Sequence, residues 1–512
     1  MTIDRYLFYQ KGINFMKLLY NRITPIRIQK QKQKRIRKNT AFLAVILCLL
    51  STCHSIAAEE PVTINVMIAY DFFIPDDFEL IAAHADALMW EKRQFHVQFY
   101  PALIIDRKRQ MEQLEKQGIT IDVSTTTEDE HLCLDLDPLL PIWEQDICEI
   151  ATEEEIEHTR RNGKLYTLPS KADYVASFGI VFRKDILEKY AIDPENIQTI
   201  QDLDTLFEKL SQNEPDLIMT APLWTHSGFL LRYHQFDAVK NCIFTIAPTA
   251  EEEIVNKYTT DEYLSWITML YKWNQAGYFP EELPLQNLKG SELMRTGKLF
   301  SYFCACKPGI EWEENVSSGC ELVSVPLMEP RVTNSSAEIS SWGIMKNSNH
   351  PEESMQFLYE IYTNPELINL FLYGIENTHY VLLPNGTIDF PEGMNAENSG
   401  YYPNIGWSFP NQTLSYIWNG NDPDLWKKNE IYQNEARRDA SLGFRFDDSV
   451  VAWQNNALYE IADTYAYGLE TGMLDPTVYL PQMLNEMEKA GAAEVQAELK
   501  DQYETWRNTQ KP

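Results

Sequence analysis

The sequence predicts an α/β protein with a helical C-terminal region. Segments typical of strands alternate with segments that have the period of amphipathic helices, and this alternation occurs twice between residues 62 and 361. Beyond about residue 450 the apolar residues recur at helical steps alone. Strands that alternate with helices favour a mostly parallel sheet covered by helices.

The first α/β series begins at residue 62. Val62–Ile68, Phe95–Leu103 and Ile119–Ser124 alternate apolar and polar residues or are rich in β-branched and aromatic ones, which predicts strands. Phe78–Arg93 and Asp106–Gln117 place their apolar residues at helical spacing, which predicts helices between those strands.

The second series repeats this order and then continues into helices. A return strand, Ile339–Met345, precedes a helix that Pro351 introduces, and the last two helices separate at Gly491. The strands and helices that open the series are Ser177–Arg183, Asp185–Tyr190, Thr199–Leu210 and Leu217–Ala221.

The N-terminus has the three parts of a secretory signal peptide. Eleven Lys and Arg residues precede a short apolar run, Ala41–Leu50, and small residues follow at Ser55 and Ala57. The run is shorter than the roughly 20 residues of a membrane-spanning helix. We therefore predict that residues 1–57 form a long basic n-region plus signal peptide, or alternatively that a lipid is attached at Cys53.

The charge that remains after export excludes one class of partner. Without eleven basic residues and Asp4, the 44 basic and 75 acidic residues become 33 and 74, a net charge near −41. Nucleic-acid binding depends on Lys and Arg that displace counterions from phosphates. A chain this acidic is not expected to bind nucleic acid, and solubility alone accounts for the charge.

The cysteines and histidines do not predict a metal site. Cys133 and Cys148 are close enough in sequence to form a disulfide in an oxidising compartment, or both remain thiols. Cys304 and Cys306 are separated by one residue, whereas zinc ligands are usually two to four residues apart with a second pair elsewhere. We expect no metal and no cofactor.

Motifs of common enzymes are absent from the sequence. It contains no His-Glu-x-x-His helix, no Gly-x-Ser-x-Gly turn and no phosphate-binding Gly-rich loop. Acidic pairs such as Glu128-Asp129-Glu130 are expected by chance among so many acids, so they do not identify a glycosidase. We predict no catalytic residues.

Aromatic residues next to amides are the strongest sign of a ligand. The chain has 12 Trp and 27 Tyr, and an aromatic ring with nearby amide and carboxylate groups matches the apolar faces and hydroxyls of a sugar. The alternative is that these rings simply fill the core. The segments concerned are Trp224-Thr225-His226, Tyr401-Tyr402-Pro403-Asn404, Trp407, Asn411-Gln412 and Trp418-Asn419.

Several segments together resemble one family, the extracellular solute-binding proteins of bacterial ABC importers. Two blocks are similar to the family's hinge strand and to the opening of its second lobe, and two later blocks to its return strand and the segment before it. These blocks are Gly163–Pro169, Phe182–Tyr190, Gly297–Phe300 and Ser341–Asn347.

The C-terminal part resembles a narrower group within that family. Its members carry a helical C-terminal domain of unknown function, often on surface lipoproteins of Gram-positive bacteria. The similar segments are Leu372–Glu376, His379-Tyr380, Gly406-Trp407, Asn411-Gln412, Gly443–Asp447 and Lys489–Gln502.

The resemblance implies a two-lobed periplasmic-binding-protein-like fold of type II, with the lobes joined by a hinge. Residues 58–168 and about 339–390 would form lobe 1. Residues 169–338 and about 391–512 would form lobe 2 with the helical C-terminal region. The ligand cleft of such folds lies at the carboxyl ends of the strands.

The resemblance also implies a function. The chain is expected to be the substrate-binding component of an ABC importer, a monomer that captures an extracellular carbohydrate or oligosaccharide and delivers it to the membrane permease. It would be secreted or at the bacterial cell surface. A binder of peptides or other small solutes, an exported glycan-degrading enzyme and a non-importing sensor are the alternatives.

The candidate ligand-binding residues come from three places: the segments that follow predicted strands or the hinge, the return strand, and the C-terminal segment that resembles the narrower group. Three tryptophans would stack on the ligand, and three polar side chains would form hydrogen bonds with it. The six are Trp224, Trp342, Trp407, Asp122, Tyr174 and Asn411.

Overall fold

A computed structural model gives the fold of most of the chain. It describes residues 61–509 except 71–72, 127–131, 144–149, 152–155, 157–158, 162, 173–174, 226, 231–236, 240–242, 248–252, 282–287 and 335–340. The predicted signal peptide, the candidate lipid site Cys53, the disulfide candidate Cys148 and the site candidate Tyr174 lie outside the described residues.

Strands and helices alternate over the first two thirds of the described chain, as predicted. The strands are β1 (Thr63–Tyr70), β2 (His96–Leu103), β3 (Val123–Thr126), β4 (Arg160–Arg161), β5 (Lys164–Leu165), β6 (Leu168–Pro169), β7 (Ser177–Arg183), β8 (Ile218–Ala221), β9 (Asp237–Val239), β10 (Phe244–Ile246), β11 (Ile254–Asn256), β12 (Leu299–Cys306), β13 (Leu322–Pro326), β14 (Arg331–Val332), β15 (Ser341–Ile344), β16 (Val381–Leu382), β17 (Ile388–Asp389) and β18 (Arg437–Arg438).

Helices cover the sheets and then dominate the C-terminal region. They are α1 (Phe78–Arg93), α2 (Arg107–Glu115), α3 (Lys184–Lys189), α4 (Ile200–Asn213), α5 (Asp261–Gln275), α6 (Gly290–Met294), α7 (Ile310–Ser318), α8 (Pro351–Thr363), α9 (Pro365–Tyr373), α10 (Leu425–Glu435), α11 (Ala452–Glu470), α12 (Pro476–Lys489) and α13 (Ala492–Thr509).

Two separate sheets organise the molecule. The first has the strand order β2-β1-β3-β15-β6, and the second has the order β13-β7-β12-β8. In the first sheet β1 runs parallel to β2 and β3, while β15 returns antiparallel to both β3 and β6. The return strand β15 therefore comes from a distant part of the chain. It follows all four strands of the second sheet in the sequence.

Each sheet has its own core. The core around the first sheet includes Ile68, Val123, Trp342 and Leu358. The core around the second sheet joins β7 and β12 to helices α5, α11, α12 and α13. Because burial of each apolar side chain contributes about 1.5–3 kcal/mol, the two cores stabilise two bodies, or lobes, along one chain.

Helices α11, α12 and α13 belong to the core of the second lobe, whereas the segment around residues 401–409 belongs to the core of the first. Tyr401, Ile405 and Phe409 pack in the core of the first sheet. The predicted boundary assigns residues from about 391 onward to lobe 2, so these three residues lie on the other side of it. The remaining domain limits stay a prediction.

Local signals explain where the helices begin and end. Thr199 and Asp202 form a reciprocal capping box at the start of α4. Pro351 and Pro365 occupy first-turn positions, where the missing N–H has no helical partner to lose. Gly491 separates α12 from α13 with φ of 98°, a left-handed conformation that favours glycine.

The third strand differs from its prediction. Ile119–Ser124 has the apolar alternation of a strand, but the regular ladder with β1 begins at Val123, after one hydrogen bond from the Asp122 N–H to the Asn65 oxygen. β3 is therefore Val123–Thr126, and Asp122 precedes the strand instead of lying near its end. Long-range pairing, rather than the local pattern, set this boundary.

Candidate ligand-binding site

The strand ends of the second sheet lie along one edge. Cys306, the last residue of β12, pairs with Ser177, the first residue of β7, and Ala221 ends β8 beside β12. The segments that follow β8 and β12 carry Trp224 and Lys307, so both residues lie beyond this edge.

The first sheet presents a corresponding edge. Ser341 pairs with Thr126 on one side and with Pro169 on the other, so β3 and β6 both end there. From Pro169 the chain crosses directly to Ser177 at the edge of the second sheet. The edges at which the two sheets end are therefore joined by the crossover, which places the space between the lobes beside both of them.

A polar group lines this space from the second lobe. The side chain of Glu314, on α7, accepts a hydrogen bond from the hydroxyl of Tyr302, which is fully buried in β12. Next to it, the ammonium of Lys307 lies 3.2 Å from a carboxylate oxygen of Glu313. We call Tyr302, Glu313, Glu314, Lys307 and Lys289 the polar floor.

The fifth member of the polar floor connects it to a predicted site residue. The ammonium of Lys289 lies 4.8 Å from the ring centroid of Trp224, in a cation–π contact. Backbone bridging also pairs these two residues. Trp224 is half-buried, so its ring and the Lys289 ammonium above it lie together at the border of the polar floor.

Burial gives the Glu314 carboxyl an unusual proton affinity. Desolvation raises its pKa to about 7, the Tyr302 hydrogen bond lowers it, and the charge of Glu313 raises it further. Lys289 and Lys307 lower the pKa by a smaller amount. A carboxyl with a pKa near neutrality is able to donate a hydrogen bond as well as accept one at neutral pH.

Aromatic rings face the polar floor from the first lobe. Trp418 is buried at the centre of the group, and the ring centroids of Phe390, Tyr402 and Trp312 lie 4.5, 5.7 and 5.6 Å from it. Phe390, Tyr402 and Trp312 are half-buried. We call these four residues the aromatic platform.

Trp312 belongs to both lobes through its contacts. It lies on α7, next to Glu313, yet its ring stacks on Trp418 at an interplanar angle of 18°. Its indole N–H donates to the backbone oxygen of Asn419 at 2.9 Å. The N–H is thereby satisfied, and the partly exposed ring remains a flat apolar surface beside the acids.

Trp312 brings the aromatic platform next to the polar floor, because it is adjacent to Glu313 on α7 and its ring stacks on Trp418. Burial raises the pKa of Tyr402 most, and the charges of Glu313 and Glu314 raise it further. The combination of ring faces, carboxyls, a phenol and lysines suits a ligand with apolar faces and many hydroxyls.

Two of the predicted tryptophans remain candidates for this site. Trp224 lies beside the polar floor, as described above. Trp407 is half-buried in the short 3-10 helix Gly406–Ser408, close to the crossover at Lys171. They come from opposite lobes, and their stacking roles stay a prediction.

Trp342 lies in the core rather than at the site. It is 1% exposed, its indole N–H donates to the backbone oxygen of Ser408 at 2.9 Å, and its ring packs against Phe409. In this conformation it has no face to offer to a ligand. The predicted stacking role is not retained, because a Trp in the middle of a sheet is a core residue unless the strand is exposed.

Asn411 is also a buried residue whose hydrogen bonds are made within the protein. It is 3% exposed, its amide nitrogen donates to the backbone oxygen of Tyr362 at 2.9 Å, and its oxygen accepts from the hydroxyl of Thr413 at 2.6 Å. Its backbone forms a bridge with Lys171. The side chain therefore holds the crossover against α8, and we leave it out of the candidate site.

Asp122 lies at the wrong end of its strand for ligand contact. One carboxylate oxygen accepts from the backbone N–H of Asn65 at 2.7 Å, and the other accepts from the hydroxyl of Ser348 at 2.6 Å. It is 3% exposed and precedes β3, whereas the crossover edge lies where β3 ends. The error follows from the misplaced third strand.

Sequence reasoning missed the residues of α7. Trp312, Glu313 and Glu314 form a short run of one aromatic and two acids directly after β12. The rule that ligands lie at strand ends would have identified them if Leu299–Cys306 had been predicted as a strand. Tyr402 and Trp418 were noticed as aromatic residues but were not placed in the site.

Other features of the described residues give no second site. Within them, no group of three or more His, Cys, Asp or Glu side chains is placed to hold a metal ion. A surface groove of about 440 Å³ lies beside α13 and the start of β11, and it is lined mainly by charged residues such as Lys500, Glu504 and Arg507. None of the helices in the part of the chain that the structure covers is long and apolar enough to cross a membrane.

Comparison with known proteins agrees with the predicted relationship. Residues 440–508 match the model of a domain of unknown function, DUF3502. Over 359 residues the chain is 24% identical to the carbohydrate ABC transporter substrate-binding protein of Streptococcus pneumoniae serotype 4 (strain ATCC BAA-334 / TIGR4). The match covers 68% of this chain and 71% of that protein.

Solved structures show the same fold. The N-glycan transport solute binding protein NgtS from Streptococcus pneumoniae superposes with a TM-score of 0.78 at 21% identity, covering 88% of this chain and all of that one. The same protein in complex with Man5GlcNAc gives a TM-score of 0.70 at 19% identity, with the same coverage. These relatives are transport binding proteins, which confirms the prediction that the chain is not an enzyme. The chain is thus a relative of the substrate-binding proteins of carbohydrate ABC transporters, and it has their two-lobed α/β fold.

Proposed function

We propose that this chain is the substrate-binding component of an ABC importer that captures an extracellular oligosaccharide between its lobes and delivers it to a membrane permease. The observation that carries this proposal is the meeting of the aromatic platform with the polar floor, where Trp312, next to Glu313 on α7, stacks on Trp418. The platform offers apolar ring faces, and the floor offers acceptors and donors for hydroxyl groups.

The relatives support a carbohydrate as the class of ligand. The curated relative is a carbohydrate transporter component, and NgtS has been solved in complexes with Man1GlcNAc and Man5GlcNAc. Both ligands are uncharged sugars with several hydroxyls, the chemistry that the candidate site is suited to contact. Peptides lack the repeated pyranose faces that would stack on several rings.

Closure of the lobes would make binding detectable by the permease. The aromatic platform is attached mainly to the first lobe and the polar floor to the second. A ligand that contacts both favours the closed arrangement by its extra affinity for that form. The permease would then distinguish the loaded protein from the empty one by its shape.

The relatives place the protein outside the cell or at its surface. Within that range, residues 1–57 are proposed to be removed as a signal peptide, with lipid attachment at Cys53 as the alternative, and the mature protein to act as a monomer. Mass spectrometry of the N-terminus of the native protein separates these two forms. A diacylglycerol adduct on Cys53 would identify the anchored form, and an unmodified N-terminus at residue 58 or 59 the secreted one.

A thermal-shift and calorimetric screen tests the proposed function. The panel consists of Man5GlcNAc, Man1GlcNAc, other neutral oligosaccharides and a set of peptides of similar mass. We expect an oligosaccharide to raise the unfolding temperature, since a ligand at 100 times its dissociation constant adds about 2.7 kcal/mol. Stabilisation by peptides alone would replace the carbohydrate proposal with that of a peptide binder.

A further inference from the structure

We propose that Glu314 is a specificity-determining contact through which the candidate site couples ligand binding to a proton. In the closed protein its carboxyl group, as a neutral acid, donates a hydrogen bond to an oxygen of an uncharged oligosaccharide. This inference rests on the proposed function and adds to it a regulated property of the same site.

The position of Glu314 is fixed by its neighbours. α7 begins directly after Gly309, whose φ of 88° allows the chain to turn from the end of β12 into the helix. One Glu314 oxygen accepts from the hydroxyl of Tyr302, a residue with 0% exposure in the middle of its sheet. Among the described residues Tyr302 is the hydrogen-bond donor to this carboxyl, so its second oxygen remains available to a ligand.

The lysines near Glu314 do not form an ion pair with its carboxyl group. On its own helix, Glu313 is paired with Lys307, which follows β12. Lys289, which precedes α6, lies over Trp224. Within the described residues, no Lys or Arg nitrogen lies within 4 Å of a Glu314 oxygen, so its carboxyl has neighbouring cations but no ion-pair partner of its own.

Two uncharged titratable groups complete the surroundings. Tyr402 belongs to the aromatic platform, and the pKa of its hydroxyl is raised mainly by burial. The pKa of the buried Cys304 thiol on β12 is raised by its contact with Cys306 and by burial, and to a smaller extent by the charge of Glu314. Both groups are protonated at neutral pH, so they do not titrate in the range where Glu314 does.

Closure favours the protonated form of Glu314. A neutral carboxylic acid donates one hydrogen bond and still accepts one from Tyr302, whereas a carboxylate only accepts. A ligand that covers the group also removes its remaining water, and desolvation disfavours the charged form. Binding and proton uptake therefore support each other, and this coupling is reciprocal.

Calorimetry with Man5GlcNAc at several pH values tests the proton linkage. If only the neutral form binds, the affinity equals the intrinsic affinity multiplied by the neutral fraction, so it should fall about tenfold for each pH unit above about 7. Titrations of the wild type near pH 7 in two buffers of different ionisation enthalpy should also show proton uptake on binding. The Glu314→Gln variant should bind with the same affinity across this range and take up no proton.

A matched variant separates this inference from a general charge effect. Glu311→Gln removes an exposed acid of the same helix, which accepts a hydrogen bond from Ser324, and should keep the pH dependence of the wild type. A wild-type affinity that does not change with pH, or a Glu314→Gln variant that keeps the dependence, would overturn the inference while leaving the proposed function intact. Failure of every oligosaccharide to bind at every pH would overturn the proposed function, and this inference with it.

Discussion

Two regions of the molecule differ in how their polar groups are satisfied. In the first, which we call the joint, β14 pairs with β18, and the guanidinium of Arg331 is paired with Asp439, with both side chains buried. At the candidate site, Glu314 and Tyr402 border a partly exposed space. The joint is closed by contacts within the protein, while the candidate site keeps polar groups that a ligand is able to contact.

This difference indicates a division of labour. A buried ion pair that loses one partner leaves an uncompensated charge, so the joint resists change. The half-buried rings and acids of the site lose little by opening to water. We therefore expect substitutions at the joint to act on folding and substitutions at the site to act on binding and on pH dependence.

The largest expected effect is on the joint. Arg331→Met should lower the free energy of unfolding by about 3–5 kcal/mol, because it leaves the buried Asp439 carboxylate without its cation. Chemical denaturation monitored by circular dichroism measures this loss. Arg437→Met is the control, since Arg437 and Glu329 form an exposed pair worth about 0–1 kcal/mol. Equal losses in the two variants would contradict the comparison.

The second effect is the pH dependence of stability that Glu314 imposes. The pKa of this carboxyl is raised from 4.5 to about 7 in the folded protein. The unfolded chain therefore releases its proton first, and the stability of the wild type falls as pH rises from about 4.5 through about 7. Glu314→Gln does not titrate, so it should exceed the wild type by about 1–3 kcal/mol at pH of about 8 and match it near pH of about 4.

Unfolding temperatures of the two proteins across that pH range provide the measurement. Glu314 is partly exposed, and water screens its charge. The stability difference at pH of about 8 is therefore expected nearer about 1 kcal/mol than about 3 kcal/mol. A constant difference between the variant and the wild type at every pH would mean that Glu314 is an ordinary surface acid. In that case the proposed difference between the site and the joint would be lost, because the site would hold no carboxyl that titrates near neutral pH.

The third effect concerns binding rather than folding. Trp312→Ala removes the ring that stacks on Trp418 and should weaken oligosaccharide affinity at least tenfold, about 1.4 kcal/mol. Trp453→Ala is the matched control, because Trp453 is 75% exposed at the start of α11. Isothermal titration with the best oligosaccharide of the screen gives both affinities, and unchanged binding in the Trp312 variant would remove the aromatic platform from the site.

The smallest expected effect lies in the loop between α9 and β16. The buried ring of His379 accepts from the backbone N–H of Ile375 and contacts the Asp77 carboxylate at 3.3 Å. Burial lowers its pKa in spite of Asp77, so the unfolded chain takes up the proton first as the pH falls. Stability should therefore decrease below pH of about 6.5, by about 1 kcal/mol or less.

Hydrogen exchange or thermal unfolding between neutral pH and mildly acidic pH measures this decrease. His379→Gln should flatten the slope, and His350→Gln, at the half-buried histidine directly before α8, should leave it unchanged. A slope that persists in the His379 variant would assign the acid sensitivity to another part of the protein.

Much of the fold could be predicted because its signals are local. The bounds of α1 and β7 agree with the predicted Phe78–Arg93 and Ser177–Arg183, since their apolar patterns fit one periodicity only. Pro351 and Gly491 likewise mark helix ends by their own backbone preferences. The third strand was misplaced because Ile119 and Ile121 fit a strand pattern, while the pairing partner lies more than 50 residues away in sequence.

The candidate site was harder to predict because the same residue types serve equally well in the core and in a ligand-binding site. Trp342 and Trp312 are both large, apolar and adjacent to polar residues in sequence. Only the fold puts the first in the middle of a sheet and the second beside two acids. In the same way, the carboxyl of Asp122 is used by Asn65 and Ser348, whereas that of Glu314 retains an accessible oxygen.

The sequence alone determined the α/β class, the acidic character of the chain, the helical C-terminal region and the resemblance to extracellular solute-binding proteins. Periodicity, composition and short motifs are properties of neighbouring residues, and they survive without knowledge of the fold. Tertiary structure decided which aromatic rings and carboxyls face the space between the lobes. That outcome depends on contacts between distant segments, such as Trp312 with Trp418 and Tyr402 with Trp418, which no local pattern encodes.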